Sequence, residues 1–372
     1  MRFLITGGGT GGHIYPALTI AKALKAARPE AELLYVGSRE GLEADLVPRE
    51  GVPFEAITVA GIMRKSPPEA VKGLLRAGQG TIESYRILRR FRPDVVVGTG
   101  GYVCGPVVFS AWVLRIPTAI QEQNVIPGVT NRMLSRLVNR VFLPFEEARR
   151  WVPDGGKVKV TGNPLRPEIL TRTREEGAAN LGIAPRRKVI YAFGGSRGAR
   201  SINEAMPDLA RAVGERPDLY LIWATGQGQF DQAMSRLQSE GIDVEKYGNI
   251  MVRPYLHNAV DAIAAADLAV VRAGAMTISE LTARGVPAVI IPHPYSPNNH
   301  QEHNGRMVER RGGAVVILDR DLNGPSLTST VLELLDDPAR LEAMSRGSRS
   351  LGLPTATERI VEGILTLARR KR

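Results

Sequence analysis

Short apolar runs alternate with longer, helix-periodic segments along the whole chain. Arg2–Thr6 is the first run, and Leu33–Val36, Val95–Val97, Thr118–Ile120, Val141–Leu143 and Val158–Val160 follow it. Runs this short and this continuously apolar predict strands buried on both faces. Between the first two, Ala17, Ile20, Ala21 and Leu24 recur at i, i+3, i+4 and i+7, the stripe of a helix with one buried face. Pro16 suits the first turn of that helix. Regular exchange of strand and helix predicts a mostly parallel sheet.

A polar, charged stretch from Pro164 to Arg187 interrupts the pattern, which then restarts. Val189–Phe193 reads as a strand, and Ile202, Ala205 and Leu209 begin a helix. Leu221–Ala224, Ile250–Val252, Leu268–Val271, Ala288–Ile291 and Val315–Leu318 supply five more strands. A last helix from about Thr357 ends in Arg369-Arg370-Lys371-Arg372, basic residues that suit a helix C-terminus. The expectation is an α/β chain of two Rossmann-like halves. The expected divisions are 1–163, 164–352 and a final helical segment 353–372. A length of 372 residues fits two domains.

Each half opens as strand, glycine loop, helix. The first loop is Gly7-Gly8-Gly9-Thr10-Gly11-Gly12-His13, and the second is Gly194-Gly195-Ser196-Arg197-Gly198. Gly7, Gly9 and Gly12 spell a G-x-G-x-x-G. A dinucleotide site also needs an acid at the end of the second strand, and that strand ends Tyr35-Val36-Gly37-Ser38. A nicotinamide or flavin enzyme is therefore disfavoured. No G-x-x-x-x-G-K-[ST] occurs, which argues against ATP-driven phosphoryl transfer. What remains is the affinity of backbone N–H groups at a helix N-terminus for phosphate, with glycines admitting close approach. His13 stands at the mouth of the first loop. Two readings are open there: an imidazole that takes a proton from an attacking hydroxyl, or one that packs locally at the turn.

Leu268–Pro292 reads as strand, turn, helix, strand, with Thr277 or Ser279 as helix cap and Ile278, Leu281 and Thr282 facing inward. Glu280 has two open readings, a first-turn acid that favours the helix dipole or an acceptor for two neighbouring sugar hydroxyls beyond a strand end. His293, His300, His303 and Glu302 invite a metal reading, as does Asp319-Arg320-Asp321. With no H-E-x-x-H and no cysteine ligands, no metal is expected. No G-x-S-x-G appears, so a hydrolase triad has little support. The spacing leaves a paired-carboxylate glycosidase open.

Composition narrows the partners. The net charge of +11 calls for an anionic partner. Aromatic residues make up 5% of the chain, and no basic arm or zinc-finger spacing occurs, so no nucleic acid is expected. The single Cys104 cannot form an internal disulfide and suits a reducing compartment. The N-terminus has no apolar signal core, and no stretch reaches the roughly 18 apolar residues of a membrane span. The expectation is a cytosolic protein that touches a membrane.

Several motifs occur in a telling order: Gly8-Gly9-Thr10-Gly11-Gly12-His13, Gly100-Gly101-Tyr102, Glu122-Gln123-Asn124, Gly162-Asn163-Pro164-Leu165-Arg166, Gly194–Ala199, Arg272–Glu280, and Asn299-His300-Gln301 before Asn304. Together they make the chain resemble the family of bacterial undecaprenyldiphospho-muramoylpentapeptide β-N-acetylglucosaminyltransferases over nearly its whole length. The resemblance implies a GT-B fold, two Rossmann-like domains facing across a cleft, with the C-terminal helix returning to the first. It implies inverting transfer of N-acetylglucosamine from UDP-GlcNAc to the 4-hydroxyl of undecaprenyl-diphospho-muramoylpentapeptide, which turns lipid I into lipid II without an obligatory metal or other cofactor.

The same resemblance assigns roles by position. Thr10, Gly11, Gly12 and Asn124 would touch the donor from the first, acceptor- and membrane-facing domain. Arg166, Ser196, His300 and Gln301 would touch it from the hinge and the second domain. Leu256 would read the uracil through its backbone. Ala275, Met276, Thr277, Ile278, Ser279 and Glu280 would hold the nucleotide, with Glu280 on the ribose. Gly9, Gly100, Gly101 and Tyr102 would face the acceptor diphosphate. His13 is the candidate base and Glu122 a second catalytic candidate. Arg166, Arg197 and Arg272 are candidate charge partners for the leaving diphosphate. The implied location is peripheral, on the cytoplasmic face of the cell membrane, with an anionic membrane surface and other cell-wall synthesis proteins as partners.

For membrane contact, Met63–Arg92 places Leu74, Leu75 and Ile82 among Lys65, Lys72, Arg76, Arg86, Arg89, Arg90 and Arg92. Apolar residues ringed by basic ones suit an anionic bilayer; the same pattern also describes an amphipathic helix with its apolar side in a core. Rival functions are a UDP-GlcNAc 2-epimerase or a diacylglycerol glycosyltransferase on similar domains, and a non-catalytic nucleotide-sugar binding module.

Overall fold

The computed structural model describes residues 1–59, 67–195 and 197–369, and of 67–75 it describes the backbone alone. Among them the chain divides into two compact units. One comprises Met1–Leu165 with Pro354–Arg372, the other Arg166–Leu353.

The first unit is built on a seven-stranded parallel sheet. Its strands are β1 (Arg2–Thr6), β2 (Glu32–Ser38), β3 (Phe54–Ile57), β4 (Val95–Gly98), β5 (Thr118–Gln121), β6 (Arg140–Leu143) and β7 (Val158–Val160), in the order β3-β2-β1-β4-β5-β6-β7. Strand order reverses between β1 and β4, so the loops after those two strands flank a crevice at their carboxyl ends. Helix Gly11–Ala27 covers one face and buries Ile14, Ala17, Leu18, Ile20, Ala21 and Leu24. Helix Ala356–Arg369 packs beside it and buries Ile360, Ile364 and Leu367 in the same core. Cys104 is fully buried, and its thiol lies 3.1 Å from the Thr6 carbonyl and 3.0 Å from the Gly100 carbonyl, which ties the ends of β1 and β4 together. Burial pushes that thiol up to about 12, so it stays protonated as a donor.

The second unit carries a six-stranded parallel sheet. Its strands are β8 (Lys188–Phe193), β9 (Leu219–Ala224), β10 (Ile250–Arg253), β11 (Leu268–Val271), β12 (Ala288–Ile290) and β13 (Ala314–Val316), in the order β10-β9-β8-β11-β12-β13. Here the order reverses between β8 and β11, which sets the second glycine loop and the Arg272–Gly274 turn at the crevice. Trp223, Leu221, Val270 and Val289 are buried in the core beneath.

Three local expectations are corrected. The first helix begins at Gly11, so Pro16 lies in its second turn. The helix after β11 begins at Ala275 with Gly274 as its cap residue; Thr277 and Ser279 lie inside it and not at the cap position. β3 was not anticipated: it is four residues long, half exposed and at the sheet edge, so it lacks the continuous apolar run of its neighbours.

Candidate active site

In the first unit, the loops after β1 and β4 meet. The glycines there do two different jobs. A Cβ on Gly101 would sit 2.1 Å from the Gly8 carbonyl oxygen, and one on Gly7 2.0 Å from Thr99 Oγ1. Gly101 lets backbone pack on backbone, and Gly7 makes room for the Thr99 side chain. The Gly9 N–H donates to Glu43 Oε2 at 3.1 Å, and the Gly8 N–H to the Gly100 carbonyl at 3.3 Å. Glu43 is fully buried, and its other oxygen accepts from the Ser38 N–H and hydroxyl. So the loop's own N–H groups at Gly8 and Gly9 are already engaged, one by a carboxylate. The anion-attracting end is instead the start of the helix, at Thr10, Gly11 and Gly12, where Gly12 is exposed and Thr10 adopts an extended cap conformation. Tyr102 lies over Gly9, and its hydroxyl is 3.2 Å from Ser38 Oγ.

His13 is the third residue of that helix. Its Nδ1 is 2.8 Å from Gln123 Oε1 and 3.1 Å from the Thr99 carbonyl. Gly100, at φ +107°, lies against the ring: a Cβ there would come 2.9 Å from Nδ1 and Cε1. The imidazole is clamped on one edge, and its Nε2 makes no hydrogen bond among the described residues.

Glu122 is 1% exposed and satisfied on both oxygens. Oε1 accepts from the Gln123 and Asn124 N–H groups at 2.9 Å and from Asn124 Nδ2 at 3.3 Å. Oε2 accepts from the Gly128 N–H at 3.1 Å and Asn131 Nδ2 at 2.9 Å. The carboxylate thus organises the 123–128 turn from inside.

In the second unit, Glu280 lies in the second turn of helix Ala275–Arg284, which has no acid in its first turn. The dipole reading depends on the first turn and falls away. Glu280 Oε1 pairs with Arg166 Nη2 at 3.1 Å. Burial raises the carboxyl above its ordinary range, and Arg166 pulls it partly back. Tyr191, fully buried beside it, is held protonated by burial and by the Glu280 charge. Ala275, Met276 and Thr277 are half-buried, whereas Ile278 and Ser279 face the core. Leu256 is buried after β10. Beyond β12, Gln301 Oε1 accepts from the His293 N–H, and the His300 ring lies 2.7 Å from the Pro297 carbonyl. Asn298 and Asn299 both hold positive φ there, a local strain of the kind concentrated in ligand loops. Gly195, at φ +97°, opens to empty space. Ser196 lies outside the described residues.

Arg272 is committed elsewhere: its guanidinium donates to Asp319, to Ser201 Oγ at 2.8 Å and to the Ile291 and Pro292 carbonyls at 3.1 Å. It braces the loops after β11, β12 and β13 and is not a ready charge partner for a diphosphate. Asp319 is consumed by the same cluster. Among the described residues no three His, Cys, Asp or Glu side chains gather as metal ligands.

Two features escaped the sequence reading. Gln123 was one polar residue in a polar triplet, and nothing local pointed to His13. Phe109, Trp112 and Val113, on helix Cys104–Val113, are 42%, 44% and 52% exposed. Their spacing was a signal, but in so apolar a helix it reads as core. This helix packs against helix Pro67–Phe91, whose Ile82 and Tyr85 are also exposed, beside exposed Arg76, Arg86 and Arg89. The side chains of Lys65, Lys72, Leu74 and Leu75 lie outside the described residues.

Two family models match the chain: the glycosyltransferase family 28 N-terminal domain over residues 3–143 and the family 28 C-terminal domain over residues 189–360. A protein of Desulforudis audaxviator is 49% identical over 99% of both chains. Its name is UDP-N-acetylglucosamine--N-acetylmuramyl-(pentapeptide) pyrophosphoryl-undecaprenol N-acetylglucosamine transferase. The chain belongs to glycosyltransferase family 28. A relative of the same name from Moorella thermoacetica is 47% identical over 98% of both chains. Among solved structures, the family member MurG of Acinetobacter baumannii is 26% identical, with a TM-score of 0.77 over 98% of this chain and 99% of that one. The parallel α/β sheets of seven and six strands are those of a GT-B enzyme, as the motifs implied. A putative UDP-N-acetylglucosamine 2-epimerase from Listeria monocytogenes, 14% identical at a TM-score of 0.72, shares the fold alone.

Proposed function

We propose that the chain transfers N-acetylglucosamine from UDP-N-acetylglucosamine to the 4-hydroxyl of undecaprenyl-diphospho-muramoylpentapeptide, giving the disaccharide lipid for peptidoglycan synthesis. The observation that carries this reading is the 49% identity to such a transferase over 99% of both chains. The site chemistry supports it. We assign the donor to the second unit, with Glu280 on the ribose hydroxyls, Arg166 beside it, Leu256 at the base, and Ala275–Ser279, His300 and Gln301 around the nucleotide. Thr10, Gly11, Gly12 and Asn124 are its contacts in the first unit. The acceptor falls to the first unit, with Gly100, Gly101 and Tyr102 near its diphosphate; Gly9 contributes shape rather than a free N–H.

In this mechanism His13 Nε2 takes the proton of the 4-hydroxyl. The oxygen attacks the anomeric carbon from the face opposite the diphosphate, and the bond between that carbon and the diphosphate oxygen breaks with its electron pair. UDP leaves, and the configuration inverts. The N-terminus of helix Arg200–Gly214, which follows the second glycine loop, receives the developing charge. Glu122 acts as a scaffold for Asn124 rather than as an acid or base.

No helix among the described residues is long and apolar enough to cross a membrane. We assign membrane contact to the exposed Ile82, Tyr85, Phe109, Trp112 and Val113 with their neighbouring arginines, an arrangement suited to an anionic bilayer on the cytoplasmic side. The test is an acceptor assay. UDP release from UDP-N-acetylglucosamine that requires the muramoyl lipid supports the transferase; acceptor-independent formation of the 2-epimer would replace it with an epimerase.

A further inference from the structure

We infer that Gln123 is a positioning residue that fixes the tautomer of His13 and so leaves its Nε2 able to accept a proton. The inference rests on the assignment of His13 as the base.

The argument starts from the orientation of one amide. Gln123 Nε2 lies 2.8 Å from the Thr99 carbonyl, 3.0 Å from the Gln121 carbonyl and 2.6 Å from Gln121 Oε1. Two of these acceptors are backbone oxygens, which cannot donate. A flipped Gln123 would set its own oxygen against them, so only one orientation is hydrogen-bonded. Gln121 is fixed in the same way. Its Nε2 donates to the Glu122 carbonyl at 2.6 Å and to Asn163 Oδ1 at 2.8 Å. Asn163 Nδ2 in turn donates to the Gln123 carbonyl at 3.0 Å. Gln121, Gln123 and Asn163 are each at most 2% exposed, so water cannot replace these bonds cheaply.

With its N–H groups committed, Gln123 presents Oε1 to His13 Nδ1 at 2.8 Å. The other Nδ1 neighbour is the Thr99 carbonyl at 3.1 Å. Both are acceptors, so Nδ1 must carry the proton in the neutral ring. Nε2 then holds a lone pair, which is the form a general base requires. The partner is a neutral amide where a carboxylate is the common choice. It orients the ring without adding a charge beside the anionic diphosphates the reaction handles.

The test is nitrogen NMR on the full chain labelled with 15N at its five histidines. At a pH where the imidazoles are neutral, the wild type should show a pyrrole-type Nδ1 and a pyridine-type Nε2 for His13. The His13 signals are assigned by their loss in His13→Ala. Gln123→Met keeps the side-chain length and removes the amide. It should move both His13 resonances toward an averaged value and lower kcat about ten- to hundredfold, with the KM for UDP-N-acetylglucosamine little changed. The far-UV circular dichroism should be unchanged, which reports that the fold is intact; the other four histidines lie in the second unit and should keep their resonances. A pyrrole-type Nε2 in the wild type overturns the inference about Gln123 outright, whatever the variant does. Unchanged shifts and kcat in Gln123→Met also overturn it, since the Thr99 carbonyl would then suffice. Full turnover in His13→Ala would instead overturn the base assignment.

Discussion

Glu280→Gln separates the donor assignment from every other part of the account. The carboxylate side chain is 16% exposed and is held at 3.1 Å from Arg166, whose side chain is 47% exposed. An ionised carboxylate can accept from two ribose hydroxyls at once. The amide keeps one acceptor and brings a donor to the other position. One charge-assisted hydrogen bond is lost, about 1.5–3 kcal/mol, or roughly 10- to 150-fold in affinity. Isothermal titration with UDP reads this directly, without acceptor. The pH dependence supplies a second check. Burial raises the Glu280 carboxyl above its ordinary value of 4.5. The ionised form is the better acceptor, so UDP affinity should be full where the carboxyl is ionised. It should fall as pH drops through a midpoint above the ordinary Glu range. Arg166→Ala removes the pull-down and should move that midpoint higher still. Unchanged UDP affinity in Glu280→Gln, or an acid midpoint at or below the ordinary value, would refute the reasoning.

Three further perturbations probe other parts. Glu122→Gln turns an acceptor for five donors into an amide facing N–H groups; it should cost about 2–4 kcal/mol in urea unfolding, and an unchanged midpoint would argue against a scaffold role. Gly101→Ala drives a Cβ to 2.1 Å from the Gly8 oxygen and should destabilise the protein, whereas Gly12→Ala, in a helical turn, meets only Thr10 Oγ1 at 3.6 Å and should spare the fold while weakening UDP binding. Equal stability losses in the two would contradict the division between packing and ligand glycines. Replacing both Phe109 and Trp112 by Ser should abolish sedimentation with anionic vesicles and leave activity on a short-chain, soluble acceptor intact. Unaltered vesicle binding would move the membrane contact elsewhere.

The sheets were legible because Val95–Val97 and Leu268–Val271 are continuous apolar runs that fit only a doubly covered strand. Phe54–Ile57 was not, since an edge strand needs no such run. The start of the first helix was misplaced because Gly11 and Gly12 are poor helix formers; tertiary contacts, not propensity, begin the helix there. Glu280 was ambiguous until the cap at Gly274 put it in the second turn. The glycine loops were visible as loops, but which glycines face a ligand depends on Glu43, Thr99 and Tyr102, brought in from distant strands and turns. Gln123 was illegible for the same reason: its meaning comes from His13, 110 positions away in the chain.

The central claim is transfer to a muramoyl lipid with His13 as base. The direct measurement is the initial rate of disaccharide–lipid formation from radiolabelled UDP-N-acetylglucosamine and a soluble muramoyl-pentapeptide lipid analogue, in wild type and His13→Ala. The account predicts product with an inverted β-linkage in wild type. It predicts a loss of about 10²–10⁴ in kcat in the variant, with UDP affinity retained. Product with retained configuration, no acceptor-dependent product at all, or full turnover without His13 would contradict it.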